Sequence, residues 1–211
     1  MMKLNTALVL GSFGLVMWVI FEKNKTAAAT VDFSGQLPGN NSGSFLTNIT
    51  DFFMGNSAIK NVDKNLLNHP QIQAFLRVIR RGEGTADNGG YNRLFGGGTF
   101  DSFDWHPNIL VKKGAWTSTA AGAYQFLKST WDETARLMDL TDFSPISQDL
   151  GALGRLAYRG AINDILAGNF ELALQKTGKE WASLPGSPYG QPTISFETAL
   201  NTFQINGGII A

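Results

Sequence analysis

The sequence predicts an α+β protein: mainly helix, with one loop-and-hairpin region between the first and second helices of its globular part. Apolar residues recur at helical spacing in successive segments after Asn68. Between the first two such segments, Tyr91 to about Ala115 is rich in Gly, Asp and aromatic residues, a composition of turns and short strands. No strand–helix–strand alternation appears, which argues against an α/β sheet.

The chain opens on different material. Residues 4–21, LNTALVLGSFGLVMWVIF, form eighteen positions without a charge, a length that just spans a bilayer core as helix. Ala27-Ala28-Ala29 offers a cleavage site for a secretory signal. Against cleavage, the apolar run is long for a signal core, and the charged EKNK separates it from those alanines. We expect an uncleaved transmembrane anchor or signal-anchor over residues 1–23, with membrane contact through residues 4–21. The amino terminus and Lys3 outweigh the net charge on the far side, which puts the bulk of the chain outside the cytosol. Residues 24–68 are low in charge, and FSGQLPGNNSGS has a linker's composition. Within them Phe45, Leu46, Ile49, Phe52 and Phe53 fit a short amphipathic helix. It lacks the basic residues of a membrane-surface helix, so packing on the main domain is expected.

From residue 69 to 211 the signals tighten. Asn68 can cap a helix, Pro70 fits its first turn, and Ile72, Phe75, Leu76 and Ile79 make one apolar face ending near Arg81–Gly82. After the hairpin region a second helix is expected near Ser129 or Thr130, where Thr130 and Glu133 have capping-box spacing. Ser144-Pro145 opens a third helix, stopped by Gly160. Residues 162–166, 170–175 and 194–203 read as further short helices.

Composition excludes much chemistry. Lys+Arg and Asp+Glu are equal at 17 each, which leaves no basic face for nucleic acid. There is no Cys and only His69 and His106, so neither a thiol nucleophile nor an ordinary zinc site is expected. FGGGTF has no lysine for a phosphate cradle, and no G-x-S-x-G elbow occurs. No cofactor or metal is called for. Carboxylate chemistry remains, with Glu83, Asp87, Asp101, Asp104, Asp142 and Asp149 as candidates. Glu83, in GEGT behind the first globular helix, has the strongest local case. A helix carboxyl end and loss of water both disfavour its ionised form and raise its pKa. A glutamic acid so held can protonate a glycosidic oxygen. By residue type alone, a solvated Gly-Glu-Gly turn remains the commoner reading of this stretch.

Six stretches change that weighting: AFLRVIRRGEGT, FGGGTFDSFDWHPNIL, STAAGAYQFLKSTWD, LTDFSPISQDLGAL, RGAI and WASLPGSPYGQ. In this order, between Ile72 and Gln191, the chain resembles the phage lambda endolysin family of peptidoglycan lytic transglycosylases. The resemblance implies a lysozyme-like α+β fold with a groove between a helical lobe and a small β-containing lobe. It implies that residues 69–211 are the catalytic domain, that Glu83 is the catalytic acid and that peptidoglycan glycan strands are the partner. Such an enzyme opens the β-1,4 bond by closing the muramic acid's own C6 hydroxyl onto C1, so one carboxylate suffices.

Further site residues follow with less support. Tyr124 and Gln125 in GAYQF are expected to bond sugar amides or hydroxyls; core packing and helix capping are the competing roles. Ser118 and Thr119 are expected to reach sugar oxygens, against simple turn chemistry. Tyr189 and Gln191 in SPYGQ, and Tyr91, are expected to wall the groove. His106 is expected to bond a carboxylate or the backbone, and Asp149 to have an intramolecular partner. Trp105, Trp116, Trp131 and Trp181 are expected to be core or lobe contacts rather than sugar platforms. A hydrolytic muramidase would need a second carboxylate, with Asp87, Asp101 or Asp104 nearest in sequence. A non-catalytic wall-binding module is the other alternative. The first 65 or so residues lie outside the resemblance. They suit a membrane-anchored lysis enzyme on the periplasmic side, a component of a virion membrane or wall-opening apparatus for genome delivery, or a wall-remodelling enzyme of a secretion machine. Oligomeric state is not legible.

Overall fold

The computed structural model describes residues 42–114 and 116–211. The expected anchor and the first part of the linker lie outside the described residues. Among the described residues, no helix is long and apolar enough to cross a membrane.

The first described element, α1, runs Ser42–Asn61 and is longer than the short helix expected there. It packs on the domain with Ile59 fully buried, while Phe53 and Met54 stay exposed. A 3₁₀ turn over Lys64–Asn68 follows. That turn absorbs Asn68, so the cap of the next helix falls to His69, whose Nδ1 accepts from the Gln71 N–H at 3.2 Å.

Helix α2, Pro70–Gly82, is the central helix. Ile72, Ala74, Phe75, Leu76, Val78 and Ile79 are all buried, and each large apolar side chain so placed contributes roughly 1.5–3 kcal/mol. Phe75 sits in a ring cluster with Phe170 and Phe203, at 5.9 and 6.2 Å between centroids. The chain's end is tied back to this helix: the Gln71 amide donates to the Ile209 carbonyl and accepts from the Ile209 N–H.

After α2 come two 3₁₀ turns, Gly90–Asn92 and Phe95–Gly97, and then the hairpin. Strand β1, Val111–Lys113, pairs antiparallel with β2, Trp116–Ser118, in the register Val111 to Ser118. The second strand therefore extends past the expected boundary near Ala115. Isolated bridges Arg93–Thr99, Leu94–Ala121 and Ala121–Phe126 complete the small β-containing region.

Four helices and a last one follow: α3 (Lys128–Met138), α4 (Pro145–Tyr158), α5 (Ile162–Ala167), α6 (Phe170–Thr177) and α7 (Phe196–Ile205). The Thr130–Glu133 capping box does not form. The helix starts earlier, Thr119 Oγ1 accepts the Lys128 N–H at 3.3 Å, and Glu133 pairs with Arg155 instead. Ser144 caps α4 as expected, accepting from the Ser147 N–H. Trp131 and Trp181 are buried, and Trp105 and Trp116 are each 40% exposed. Trp105 lies edge-on against Trp131 at 6.4 Å, at the rim of the core rather than inside it.

Candidate active site

Glu83 owes its position to the way α2 ends. It is the C-cap residue, its N–H donating to the Ile79 carbonyl at 2.9 Å. Gly84 follows at φ 69°, a left-handed conformation that glycine adopts without strain. The Thr85 N–H then returns to the Arg80 carbonyl at 2.9 Å, and the Gly84 N–H to that of Arg81 at 3.4 Å. This pair of reversed bonds is a Schellman motif. It explains the order Glu-Gly-Thr: the helix is stopped one residue after the carboxylate, which stays at the negative end of the helix.

The turn is pinned from two sides. Buried Arg80 donates through Nε and Nη2 to the Thr85 carbonyl and through Nη2 to that of Asp87. Buried Thr85 donates its hydroxyl to the Ala123 carbonyl at 2.5 Å. The backbone under Glu83 is therefore fixed to the GAYQF stretch.

Glu83 itself is half-buried, and its pKa is raised from 4.5 to about 7 because burial strips water from the charged form. The opposing influence is a hydrogen bond from Ser183, whose Oγ donates to Glu83 Oε1 at 2.7 Å. No neighbouring charge contributes to this shift. At neutral pH the group is poised between acid and carboxylate, as a proton donor that must also take a proton back.

Ser183 is held firmly. Two residues before it, buried Trp181 donates its indole N–H to the Tyr124 carbonyl at 3.2 Å. Three before it, buried Glu180 accepts from Arg155 at 2.7 and 3.1 Å and from Arg159 at 2.7 Å. Gly82 completes the fit: a Cβ there would lie 2.6 Å from Ser183 Oγ and 3.3 Å from Leu184 Cδ2. The glycine before Glu83 leaves the space in which the serine reaches the carboxyl.

Two of the expected sugar contacts meet at one half-buried carboxylate. Tyr124, 2% exposed, donates its hydroxyl to Asp149 Oδ1 at 2.6 Å, and half-buried Tyr91 donates to the same carboxylate at 2.9 and 3.1 Å. Arg80 adds a longer bond to the Tyr91 hydroxyl at 3.4 Å, with its guanidinium 4.5 Å from the ring centre. Burial raises the Asp149 pKa against the pull of both tyrosines and of Arg80. Asp149 thus has its intramolecular partners. Tyr124 stands behind the wall that was expected to present it.

Gln125 is likewise turned inward. It has φ 48°, and its amide nitrogen donates to the Arg93 and Gly122 carbonyls. Ser118 is 1% exposed and accepts the Ala120 N–H at 3.0 Å, the turn chemistry weighed against a sugar contact. Thr119 serves the start of α3, as described. Tyr189 and Gln191 are half-buried, six and eight residues beyond Ser183 on the same segment. His106 donates from Nε2 to the Phe126 carbonyl at 2.8 Å and accepts the Asn108 N–H at Nδ1, which fixes the tautomer. Burial lowers its pKa to about 4, so it is a neutral structural group.

The carboxylates weighed as a second catalytic group are placed otherwise. Asp87 pairs with Arg93 at 2.8 Å. Asp101 and Asp104 are exposed, and Asp104's N–H closes a local turn onto Ser102 Oγ at 3.0 Å. Asp142 accepts from the Ser144 N–H and the Ser147 hydroxyl, bonds that hold its pKa down. The residue hydrogen-bonded to Glu83 is Ser183, which sequence reasoning did not single out. It lay inside the quoted WASLPGSPYGQ, but an isolated serine in a turn carries no local signal.

Comparison with known proteins agrees with this arrangement. The family model described as Endolysin matches residues 73–210. The chain is 38% identical over 148 residues to the Endolysin of Escherichia phage lambda, across 66% of this chain and 93% of that one. It is 36% identical over 160 residues to the Endolysin of Escherichia phage P2, across 68% and 96%. Among solved structures, bacteriophage lambda lysozyme complexed with a chitohexasaccharide matches with a TM-score of 0.65 at 36% identity. That match covers 68% of this chain and 97% of the other. A second structure of lysozyme from bacteriophage lambda matches with a TM-score of 0.61 at 35% identity, over 68% and 97%.

Proposed function

The chain belongs to the Endolysin family, and on that premise we propose that it is a peptidoglycan-degrading enzyme of the lytic transglycosylase type, with Glu83 as its acid and base. The lambda lysozyme relative was solved with a chitohexasaccharide, which supports a glycan strand as the ligand here.

The reaction needs one carboxyl group. Protonated Glu83 donates to the oxygen of the β-1,4 bond between N-acetylmuramic acid and N-acetylglucosamine as that bond breaks. The N-acetylglucosamine leaves with the proton on its O4. The Glu83 carboxylate then takes the proton from the muramic acid C6 hydroxyl, whose oxygen bonds to C1. The products are a 1,6-anhydro end and a free 4-hydroxyl, no water is consumed, and Glu83 is protonated again. Tethering the nucleophile to its own sugar supplies its effective concentration.

One observation carries this reading over hydrolysis. Glu83 is held by the Ser183 hydroxyl, and of the carboxylates weighed as a second catalytic group Asp87 is paired with Arg93 while Asp101 and Asp104 are exposed. A hydrolase would need a second carboxylate to activate water or attack the sugar. Retention of the half-buried acid also weighs against a wall-binding module without activity. We further propose, from residues 4–21, that the enzyme is membrane-anchored with its catalytic domain on the periplasmic side or in a virion membrane.

Mass spectrometry of digested cell wall tests the reaction. Products lacking one water relative to hydrolytic muropeptides are expected, and Glu83→Gln should yield none. Hydrolytic masses from the wild-type chain would assign it as a muramidase.

A further inference from the structure

A second feature lies at the same end of α2 but on its outer face. Arg77 and Arg81 stand one helical turn apart and are exposed. Neither makes a salt bridge among the described residues. Like charges at this spacing repel each other on a helix, while the Asp149 carboxylate attracts Arg77. Arg80, between them in sequence, is buried and engaged by backbone carbonyls.

The two arginines form one wall of a cleft of about 670 Å³. The other wall is α7, which contributes Glu197, Thr198 and Asn201. The lining reaches Ala86, three residues past Glu83, although Glu83 is not part of it. Two positive charges and one negative charge leave the cleft cationic.

We infer that this cleft binds the stem peptide of the glycan strand, through a peptide carboxylate on Arg77 and Arg81. The inference rests on the proposed reading of Glu83. Guanidinium groups match a planar carboxylate with two parallel hydrogen bonds. Asn201 and Thr198 offer polar partners for peptide amides, and Glu197 suits a free amine on the same peptide. A densely charged polyanion is disfavoured by that carboxylate. Stem peptides have this mixed chemistry, and they leave the strand at the muramic acid whose bond Glu83 opens.

The test uses the full chain carrying Glu83→Gln, so that ligand is bound and not consumed. A soluble disaccharide-tetrapeptide and the same disaccharide without peptide are titrated at low salt, with and without Arg77→Gln and Arg81→Gln. The peptide should tighten binding by about tenfold, and the double arginine variant should lose that gain while keeping its affinity for the bare disaccharide. Equal affinities for the two ligands, or a gain that survives in the arginine variant, would overturn the proposal. So would arginine-dependent binding to vesicles of anionic phospholipid with no effect of the peptide. Cleavage of peptide-free glycan by the unmodified chain reads the Glu83 reaction separately. If that cleavage fails while peptide-dependent binding persists, the reaction falls and the cleft stands.

Discussion

The Ser183 hydroxyl donates to Oε1 of Glu83 across 2.7 Å, joining two residues one hundred positions apart. The bond does two things. It fixes one carboxyl oxygen in space, and it favours the ionised form against the burial that favours the acid.

Removing it in Ser183→Ala should therefore move Glu83's pKa above about 7. The alkaline limb of the activity profile should shift to higher pH. The freed carboxyl should also lose roughly 10- to 100-fold in kcat, with KM little changed. A profile whose limb stays in place, whatever the loss of rate, would show that Ser183 acts only on structure.

Gly82→Ala approaches the same contact from the other side. Its new methyl would lie 2.6 Å from Ser183 Oγ. Helix propensity favours alanine by about 1 kcal/mol, while overpacking costs about 1–3 kcal/mol, so a net loss of about 0–2 kcal/mol in stability is expected. Activity should fall, and the pH limb should move in the same direction as in Ser183→Ala. In the Ser183→Ala background the methyl meets less, and a double-mutant cycle should show the two changes to be non-additive. Additive losses would mean that Gly82 acts elsewhere.

Glu180 anchors the segment that carries Ser183. Both Arg155 and Glu180 are buried, and Arg159 shares the carboxylate. Glu180→Gln removes the buried carboxylate that Arg155 and Arg159 share and leaves Arg155 only its longer bond to Glu133 at 3.3 Å, at an expected cost of about 3–5 kcal/mol in urea denaturation. Were this variant as stable as the wild type, the ion cluster would not be what holds Ser183 in place.

Tyr124→Phe separates a sugar contact from a wall support. The hydroxyl donates to Asp149 and the ring is buried. The expected result is a loss of about 1–2 kcal/mol in stability with KM for cell wall unchanged. A raised KM with unchanged stability would restore Tyr124 to the substrate side.

The parts of this architecture legible in the sequence are those whose causes are local. Pro70 and the apolar face through Ile79, with an end expected near Arg81–Gly82, mark both ends of α2 within a few residues, and Glu83's place at its end follows. Ser144-Pro145 and Gly160 do the same for α4. The Thr130–Glu133 box failed because a distant arginine, Arg155, takes the glutamate. Gln125 and Tyr124 were misplaced for a related reason. Polar side chains in a turn look available until Arg93's carbonyl and Asp149 arrive from other parts of the chain. Ser183 was invisible on the same ground: nothing near it in sequence indicates a carboxyl waiting in space.

The raised pKa of Glu83 also has a thermodynamic signature. An unfolded chain releases this proton near 4.5, whereas the folded protein holds it to about 7. Between these values the folded state binds more protons, so stability falls as pH rises, and the contribution is lost once pH passes about 7. The whole effect is about 3 kcal/mol. Gln cannot ionise, so Glu83→Gln should match the wild type near pH 4 and exceed it by about that amount near pH 8. Urea denaturation across this range measures the gap. A gap that does not widen between pH 4.5 and 7 would mean that Glu83 is not desolvated. A gap that opens as expected, in a variant that no longer cuts cell wall, would identify the buried acid as a stability cost retained for its chemistry.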